Sequence, residues 1–168
     1  MRTHRRSQRL LKEKIKSLTL LKKLLFRLKR QGKKVVFTNG CFDILHCGHA
    51  KYLEAAKRKG DILVVAINSD ASVKRIKAKT RPIVGERNRL SLVAALESVD
   101  FVIMFKEDTP LKVIKEIRPD ILVKGADWTK DEIVGGNFVN SYGGKVKTIK
   151  LTKGLSTTNL IKKIVKTN

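Results

Sequence analysis

Residues 38–49, Thr-Asn-Gly-Cys-Phe-Asp-Ile-Leu-His-Cys-Gly-His, form the densest group of polar and ionisable side chains in the chain. The segment follows a short apolar strand pattern and precedes a helix pattern. His46 and His49 lie three residues apart, so both imidazoles can lie on one side of the helix start, beside free backbone N–H groups and the positive end of the helix dipole. Gly40 and Gly48 allow a ligand to approach the backbone closely. The spacing predicts a binding site for an anion.

The same segment admits a second chemistry, a zinc site. Four residues within nine positions are of the types that bind zinc: Cys41, His46, Cys47 and His49. Their spacing matches no usual zinc finger, and the strand-turn-helix context already accounts for the two histidines. We therefore favour the anion site and expect no metal ion to be held by protein side chains.

A further polar cluster, Ser156-Thr157-Thr158, stands at the start of the last predicted helix. Hydroxyl and free N–H groups at a helix start hold phosphate oxygens well. Capping the helix requires only one of the three hydroxyls, so capping alone does not explain the cluster. The chain therefore carries two candidate phosphate-binding segments more than a hundred residues apart.

The elements that must position these clusters alternate along the chain. Continuous apolar runs predict strands at residues 35–37, 61–67, 101–105, 121–123 and 146–151. Helix patterns follow them at residues 49–59, 86–98, 109–117, 131–140 and 156–166, with Thr109, Asp131 and Ser156 as expected caps. The alternation predicts an α/β fold, a Rossmann-like parallel sheet with helices on both faces. Such sheets bind ligands beyond the carboxyl ends of their strands.

The composition limits the class of protein. The 168 residues include 38 Lys and Arg against 15 Asp and Glu, a net charge of +23, and 42% are apolar. This apolar fraction suits one domain plus an extension and excludes disorder for most of the chain. No run approaches the roughly 20 apolar residues of a membrane-spanning helix. Two cysteines are too few for a disulfide scaffold, so we expect a cytoplasmic protein without stable membrane insertion.

More than half of the positive excess lies at the N-terminus, where residues 1–34 hold 14 Lys and Arg and one acid. We expect a disordered basic tail over 1–9, an amphipathic helical extension over 10–34 and the main domain over 35–168. Leucines recur every three or four positions in residues 10–31. Such a helix could bind a membrane surface or a nucleic acid. We favour a helix that packs its leucines on the domain or on a second subunit.

The pattern Gly40-x-Phe42-Asp43-x-x-His46-x-Gly48-His49, with Ser156-Thr157-Thr158 later in the chain, resembles the HxGH nucleotidylyltransferases of the cytidylyltransferase-like superfamily. Within it, the chain is most similar to adenylyltransferases that make ADP-heptose from D-glycero-β-D-manno-heptose 1-phosphate and ATP. In many bacteria that domain is the C-terminal half of a bifunctional kinase/adenylyltransferase. The similarity spans residues 35–165 and includes the blocks Asn68–Arg75, Arg81–Ile83, Glu107–Pro110, Val123–Trp128 and Gly154–Asn159.

The resemblance implies roles for particular positions. His46 and His49 would contact the ATP phosphates and stabilise charge as the α-phosphorus is attacked, and Ser156, Thr157 and Thr158 would hold the outer phosphates. Asp43 would contact the acceptor. Three cations would reach the triphosphate: Lys77, Lys79 and Arg89. Other positions would line the nucleotide cleft or lie near the base: Thr38, Gly40, Cys41, Phe42, Gly48, Asp127 and Trp128. Mg²⁺ would accompany ATP.

The expected partners are therefore ATP and a sugar phosphate, with no nucleic acid, in a homodimer or larger homo-oligomer. Two alternatives stay open at the level of sequence. The first is a cytidylyltransferase that acts on glycerol 3-phosphate or a similar phosphoalcohol. The second is an inactive member of the fold whose basic N-terminal segment binds a nucleic acid or a membrane surface.

Overall fold

The computed structural model describes residues 11–126, 132–150 and 154–167. The predicted tail over residues 1–9 lies outside these ranges, as do the site candidates Asp127 and Trp128 and the expected cap Asp131.

A five-stranded parallel sheet forms the centre of the described structure. Its strands are β1 (Val35–Gly40), β2 (Ile62–Asn68), β3 (Phe101–Phe105), β4 (Ile121–Gly125) and β5 (Lys145–Ile149). They lie in the order β3-β2-β1-β4-β5, and every neighbouring pair is parallel. The strand order therefore reverses between β1 and β4, where a ligand cleft is expected at the carboxyl ends. The predicted Rossmann-like α/β fold is confirmed.

Eight helices occur in the described residues: α1 (Leu11–Lys14), α2 (Leu18–Arg30), α3 (Cys47–Lys57), α4 (Asp70–Ile76), α5 (Glu86–Ala95), α6 (Leu111–Ile117), α7 (Gly136–Ser141) and α8 (Thr157–Thr167). They cover both faces of the sheet. Buried side chains of α2, α6 and α7 form one apolar cluster with the strands. Buried side chains of α3 and α5 form the other. This two-sided burial explains why the strands are apolar at consecutive positions.

Several helices differ from the sequence prediction, and α7 begins at Gly136 rather than near residue 131. Helix α4 was not predicted because it is short and buries only Ser72 and Val73. The feature of the sequence that could have indicated α4 is its N-cap residue Ser69, whose side chain accepts a hydrogen bond from the Ser72 N–H. Helix α6 has Pro110 at its N-cap, and no side chain caps it, so the expected cap at Thr109 is wrong. Helix α5 ends at Ala95, three residues earlier than predicted.

The single helix predicted over residues 10–31 is two helices. Between the two helices, Ile15 forms a parallel β-bridge with Val102 of β3. The Lys16 N–H donates to the Val102 carbonyl at 3.0 Å. The chain is extended there because it pairs with the sheet, and the Ser17 side chain then caps α2. The leucine stripe of α2 packs on the domain, since Leu21 and Leu25 are almost fully buried in the core.

No helix in residues 11–126, 132–150 or 154–167 is both long enough and apolar enough to cross a bilayer.

Burial of the α2 leucines predicts a stability difference between two substitutions on one helix. We expect Leu25→Ala to lower the free energy of unfolding by about 2–5 kcal/mol, because it leaves a cavity in the core. Leu20→Ala is the matched control, since Leu20 is 46% exposed, and should cost no more than about 1 kcal/mol. Urea unfolding followed by circular dichroism measures both. Equal losses would contradict the packing of α2 on the domain.

Candidate functional site

One cavity of about 630 Å³ lies at the carboxyl ends of the central strands and is lined by both predicted phosphate-binding segments. Its wall contains His46, Gly48 and His49 from the first segment and Ser156, Thr157 and Thr158 from the second. Imidazole, hydroxyl and helix-start N–H groups therefore surround a single space. That they bind one nucleotide stays a prediction.

A close contact joins the two segments. A Cβ atom built on Gly48 would lie 2.9 Å from Nδ1 of His46 and 3.3 Å from Cβ of Leu155, which directly precedes the hydroxyl cluster. The Thr157 hydroxyl also donates to the Ile44 carbonyl at 3.5 Å. A side chain at position 48 would first meet the His46 imidazole, and its Cβ would fit against Leu155 only if that residue moved by a few tenths of an ångström. Gly48 thus allows close packing between the two segments.

The two histidines lie face to face at the start of α3. Their ring centroids are 3.9 Å apart with an angle of 24° between the planes. Burial lowers the pKa of His46. Burial, and then the nearby His46, lower the pKa of His49 to about 4. Both rings are therefore neutral at pH 7, which avoids repulsion between two stacked cations.

The Nδ1 atoms of both histidines are buried without a hydrogen-bond partner in the part of the chain that the structure describes. A buried polar atom without a partner costs roughly 1–3 kcal/mol. In native proteins such atoms are explained by strain, by a catalytic role, or by a water or an ion. The Phe42 ring lies 5.2 Å from the His49 ring and shields one side of the pair from water.

Phe42 reaches this place through an unusual backbone conformation, with φ at +48°. Left-handed backbone in a residue other than glycine is strained and is often found at functional sites. The Phe42 ring then lies over Gly40, where a Cβ atom would be 3.0 Å from it. Gly40, Cys41 and Phe42 all lie on the cavity wall, as the sequence predicted.

The hydroxyls at the start of α8 have different partners. Ser156 accepts a hydrogen bond from the Asn159 N–H at 3.1 Å and so caps the helix. The Thr157 hydroxyl donates to Ile44. The Thr158 hydroxyl has no hydrogen-bond partner among residues 11–126, 132–150 and 154–167. Capping thus accounts for one hydroxyl, and the helix start keeps a free donor at the cavity.

Thr38, a predicted site residue, lies behind the cavity wall. Thr38 is fully buried, and its hydroxyl shares a hydrogen bond with the Tyr52 hydroxyl at 2.8 Å. Tyr52, which the sequence interpretation missed, reaches the cavity and also donates to the Val123 carbonyl at 3.3 Å. Thr38 therefore supports the wall through Tyr52 rather than lining it as expected.

Arg89 also departs from expectation, since it is fully buried and does not line the cavity. Its guanidinium donates to the Val84, Cys41 and Asn68 carbonyls and pairs with the Asp70 carboxylate at 2.7 Å. These partners belong to the segments that follow β1 and β2. Arg89 therefore joins the loops that form the cavity, and the expectation that it reaches the triphosphate does not match this placement.

The remaining cations and Asp43 lie on the side of the cavity near β1 and β2. Lys77 lines the cavity, whereas Lys79 is exposed and is not on its wall. Asp43 is almost fully buried and accepts hydrogen bonds from the Ile83 and Val84 N–H groups and from Arg81. Burial alone would raise the pKa of Asp43, but these hydrogen bonds hold it below its usual value.

The four candidate zinc ligands do not form a metal site. Within the described ranges, no group of three or more His, Cys, Asp or Glu side chains is placed to hold a metal ion. Cys47 is exposed and lies off the cavity wall, and burial raises the pKa of the Cys41 thiol.

Known proteins are similar to this chain over most of its length. The model of the cytidylyltransferase-like family matches residues 37–163. Bifunctional protein HldE of Geobacter sulfurreducens is 51% identical over 153 residues, which cover 91% of this chain and 31% of that protein. Bifunctional protein HldE of Gluconobacter oxydans is 57% identical over 133 residues, 79% of this chain and 28% of that protein. The chain thus spans about a third of the length of these curated relatives.

A solved structure shares the fold over most of its length. The crystal structure of the lipopolysaccharide core biosynthesis protein from Thermoplasma volcanium superposes with a TM-score of 0.60 at 36% identity. The match covers 73% of this chain and 98% of that one.

The burial of Arg89 predicts a structural effect in the absence of any nucleotide. We expect Arg89→Gln to lower the free energy of unfolding by about 3 kcal/mol or more, because it leaves the Val84, Cys41 and Asn68 carbonyls without their donor, and each unsatisfied buried acceptor costs about 1–3 kcal/mol. Arg87→Gln, on the exposed side of the same helix, should change it by less than about 0.5 kcal/mol. Urea unfolding without ligand provides the comparison. Equal stability of the two variants would show that Arg89 does not hold the loops together.

The low pKa of His49 predicts an observable titration. The imidazole of the ligand-free protein should titrate near pH 4 rather than near 6.5. Since the unfolded chain binds this proton at higher pH than the folded one, stability should fall as the pH drops from about 6.5 to 4. NMR of the His49 Hε1 resonance follows the titration, and His49→Gln should remove this part of the pH dependence. A midpoint near 6.5 would contradict the buried, neutral ring.

Proposed function

Because the chain belongs to the cytidylyltransferase-like family and is a nucleotidyltransferase, we propose that it transfers AMP from ATP to D-glycero-β-D-manno-heptose 1-phosphate. The products are ADP-heptose and pyrophosphate, and the reaction serves synthesis of the lipopolysaccharide core. Two kinds of relative support this substrate class: the proteins named HldE and the lipopolysaccharide core biosynthesis protein of T. volcanium.

One structural observation carries the proposal. The histidine pair and the hydroxyl cluster line the same cavity although they are far apart in the chain. A triphosphate is long enough to contact both helix starts at once, and both starts attract negative charge. A cavity of about 630 Å³ also has the volume of an ordinary small-molecule site.

The reaction needs positioning and charge stabilisation more than proton removal. A phosphate oxygen of the heptose 1-phosphate attacks the α-phosphorus of ATP, the bond from the α-phosphorus to the bridging oxygen breaks, and pyrophosphate leaves. No base is required because the attacking oxygen is already ionised. His46 and His49 donate hydrogen bonds to phosphate oxygens as charge develops. A triphosphate beside the rings would also raise their pKa values, because a nearby negative charge favours the imidazolium form.

Among the described residues, two carboxylates on the cavity wall already have protein partners. The oxygens of Asp43 accept hydrogen bonds from Arg81, Ile83 and Val84, and Asp108 pairs with Arg75. Mg²⁺ commonly keeps its waters and binds substrate phosphates. The residues present therefore fit a magnesium ion that enters with ATP, where it would neutralise charge on the phosphates. Lys77 and Arg81 add positive charge on the cavity wall.

The choice between ATP and CTP depends on residues near the base. The expected base-proximal residues, Asp127 and Trp128, lie outside the described ranges, and we keep ATP as the proposal on the strength of the resemblance. The cytidylyltransferase alternative with glycerol 3-phosphate is decided by assay. The expectation of a homodimer or larger homo-oligomer stays a prediction.

The proposal predicts pyrophosphate release from ATP, Mg²⁺ and heptose 1-phosphate. We expect turnover with this pair to exceed turnover with CTP and glycerol 3-phosphate. His49→Ala should lower kcat/KM at least about a hundredfold, the scale for losing one donor to the transition state. Cys47→Ala is the matched control, because Cys47 lies in the same helix start but off the cavity wall, and it should retain activity within about twofold.

A coupled pyrophosphate assay measures all four rates. Preference for CTP and glycerol 3-phosphate would replace the proposed substrates. Near-normal activity of His49→Ala would refute the role of the histidine pair.

A further inference from the structure

Arg81 is held on the cavity wall by a buried carboxylate. Its side chain is 19% exposed, and its Nε donates to the carboxylate of Asp43, whose side chain is 1% exposed. The other oxygen of that carboxylate accepts the Ile83 and Val84 N–H groups, each at 2.8 Å. Asp43 thereby fixes both the guanidinium and the loop that carries it. A surface arginine would have no such support.

The contact through Nε leaves the outer edge of the guanidinium available. In the part of the chain that the structure describes, neither terminal nitrogen of Arg81 donates to a protein acceptor. The guanidinium is planar, so two donors on one edge point the same way and match two oxygens of a phosphate group. Arg89 offers a contrast, since its donors are directed at three backbone carbonyls and at Asp70. Arg81 therefore has donors available for a ligand in the cavity, whereas the donors of Arg89 are used to connect segments of the protein.

Lys77 and Arg81 both line the cavity and belong to the segment between β2 and α5. Burial raises the pKa of the Cys41 thiol, Lys77, Arg89 and Arg81 act to lower it, and Asp43 acts to raise it, so charged groups of both signs surround Cys41. Cys41 follows β1, and its Sγ lies 4.0 Å from Oδ1 of Asn68 at the end of β2. The hydroxyl cluster instead belongs to α8. Lys77 and Arg81 thus form a cationic group distinct from the helix starts.

The transfer brings two phosphate-bearing substrates together, and the acceptor phosphate needs positive charge of its own. We propose that Arg81, positioned by Asp43, binds the phosphate group of the acceptor and so selects a phosphorylated sugar over the free sugar. This inference rests on the proposed function, which supplies the phosphorylated acceptor. Asp43 then acts through Arg81 as a positioning residue. The resemblance had instead implied that Asp43 contacts the acceptor itself.

The main test separates binding of the acceptor from binding of the nucleotide. Arg81→Gln should raise KM for heptose 1-phosphate about 10- to 100-fold, the range for losing a hydrogen-bonded charge. The Kd of Mg²⁺ with α,β-methylene-ATP, which cannot transfer AMP, should change less than about threefold. Arg81→Lys should restore part of the lost acceptor affinity. Arg87→Gln, exposed and off the cavity wall, should leave both constants unchanged.

Asp43→Asn tests the positioning role. It keeps an acceptor for the two loop N–H groups but removes the charge that holds Arg81. We expect KM for the acceptor to rise while the Kd for the nucleotide analogue changes little. Thermal unfolding of each variant checks that the fold is retained. A variant that unfolds below 40 °C is replaced by Arg81→Lys. This conservative variant should show the same rise in KM for the acceptor, but a smaller one.

A second probe keeps this inference separate from the choice of sugar. Broadening of the ³¹P resonance of inorganic phosphate is measured with the protein saturated by the nucleotide analogue. Phosphate should bind to the wild type and to Arg87→Gln but bind at least tenfold more weakly to Arg81→Gln. If the wild type fails to use heptose 1-phosphate yet shows this pattern, the proposed sugar is wrong and the phosphate site stands. If Arg81→Gln weakens the nucleotide analogue instead, or leaves both KM and phosphate binding unchanged, the site is refuted.

Discussion

The contact between Gly48 and the residue preceding the hydroxyl cluster is the constraint on which the candidate site depends. A Cβ atom at Gly48 would lie 3.3 Å from Cβ of Leu155 and 2.9 Å from His46. The sheet brings the ends of β1 and its neighbours to one edge, and this close packing lets both helix starts line the same cavity. The Thr157 hydroxyl bond to Ile44 joins the same segments. Glycine at position 48 leaves room for this approach.

The site separates its charges by position. Where the two helix starts meet, the histidines are neutral because burial lowers their pKa values. The described part of the cavity wall also holds three cations, Lys77, Arg81 and Lys124, and Asp43 fixes Arg81. Neutral rings stack without repulsion in the free protein, and an arriving polyanion supplies the charge that favours a proton on them. The net charge of +23 thus explains little of the site, since geometry decides which cations face the cavity.

The sequence predicts most of the fold because its apolar runs are continuous. Five parallel strands, and the two polar segments at one edge, follow from patterns within ten or twelve residues. The break near Ile15 could not be predicted, because it depends on pairing with Val102, far along the chain. The burial of Arg89 escaped prediction for the same reason: its acceptors lie after β1, at the end of β2, in α4 and before α5, and periodicity does not bring these places together. Arg81 belongs to one of the blocks of similarity, Arg81–Ile83, but its role could not be read from the sequence, because only the structure shows its pairing with the buried carboxylate of Asp43.

The account stands on one central claim, that the imidazoles after β1 and the hydroxyls of α8 bind the same polyphosphate. The most direct measurement is a crystal structure of the protein with Mg²⁺ and α,β-methylene-ATP. We predict phosphate oxygens within hydrogen-bond distance of His46 or His49 and, in the same molecule of nucleotide, of at least one residue among Ser156, Thr157 and Thr158. A nucleotide whose phosphates contact only one of these groups, or lie outside the cavity, would contradict the account.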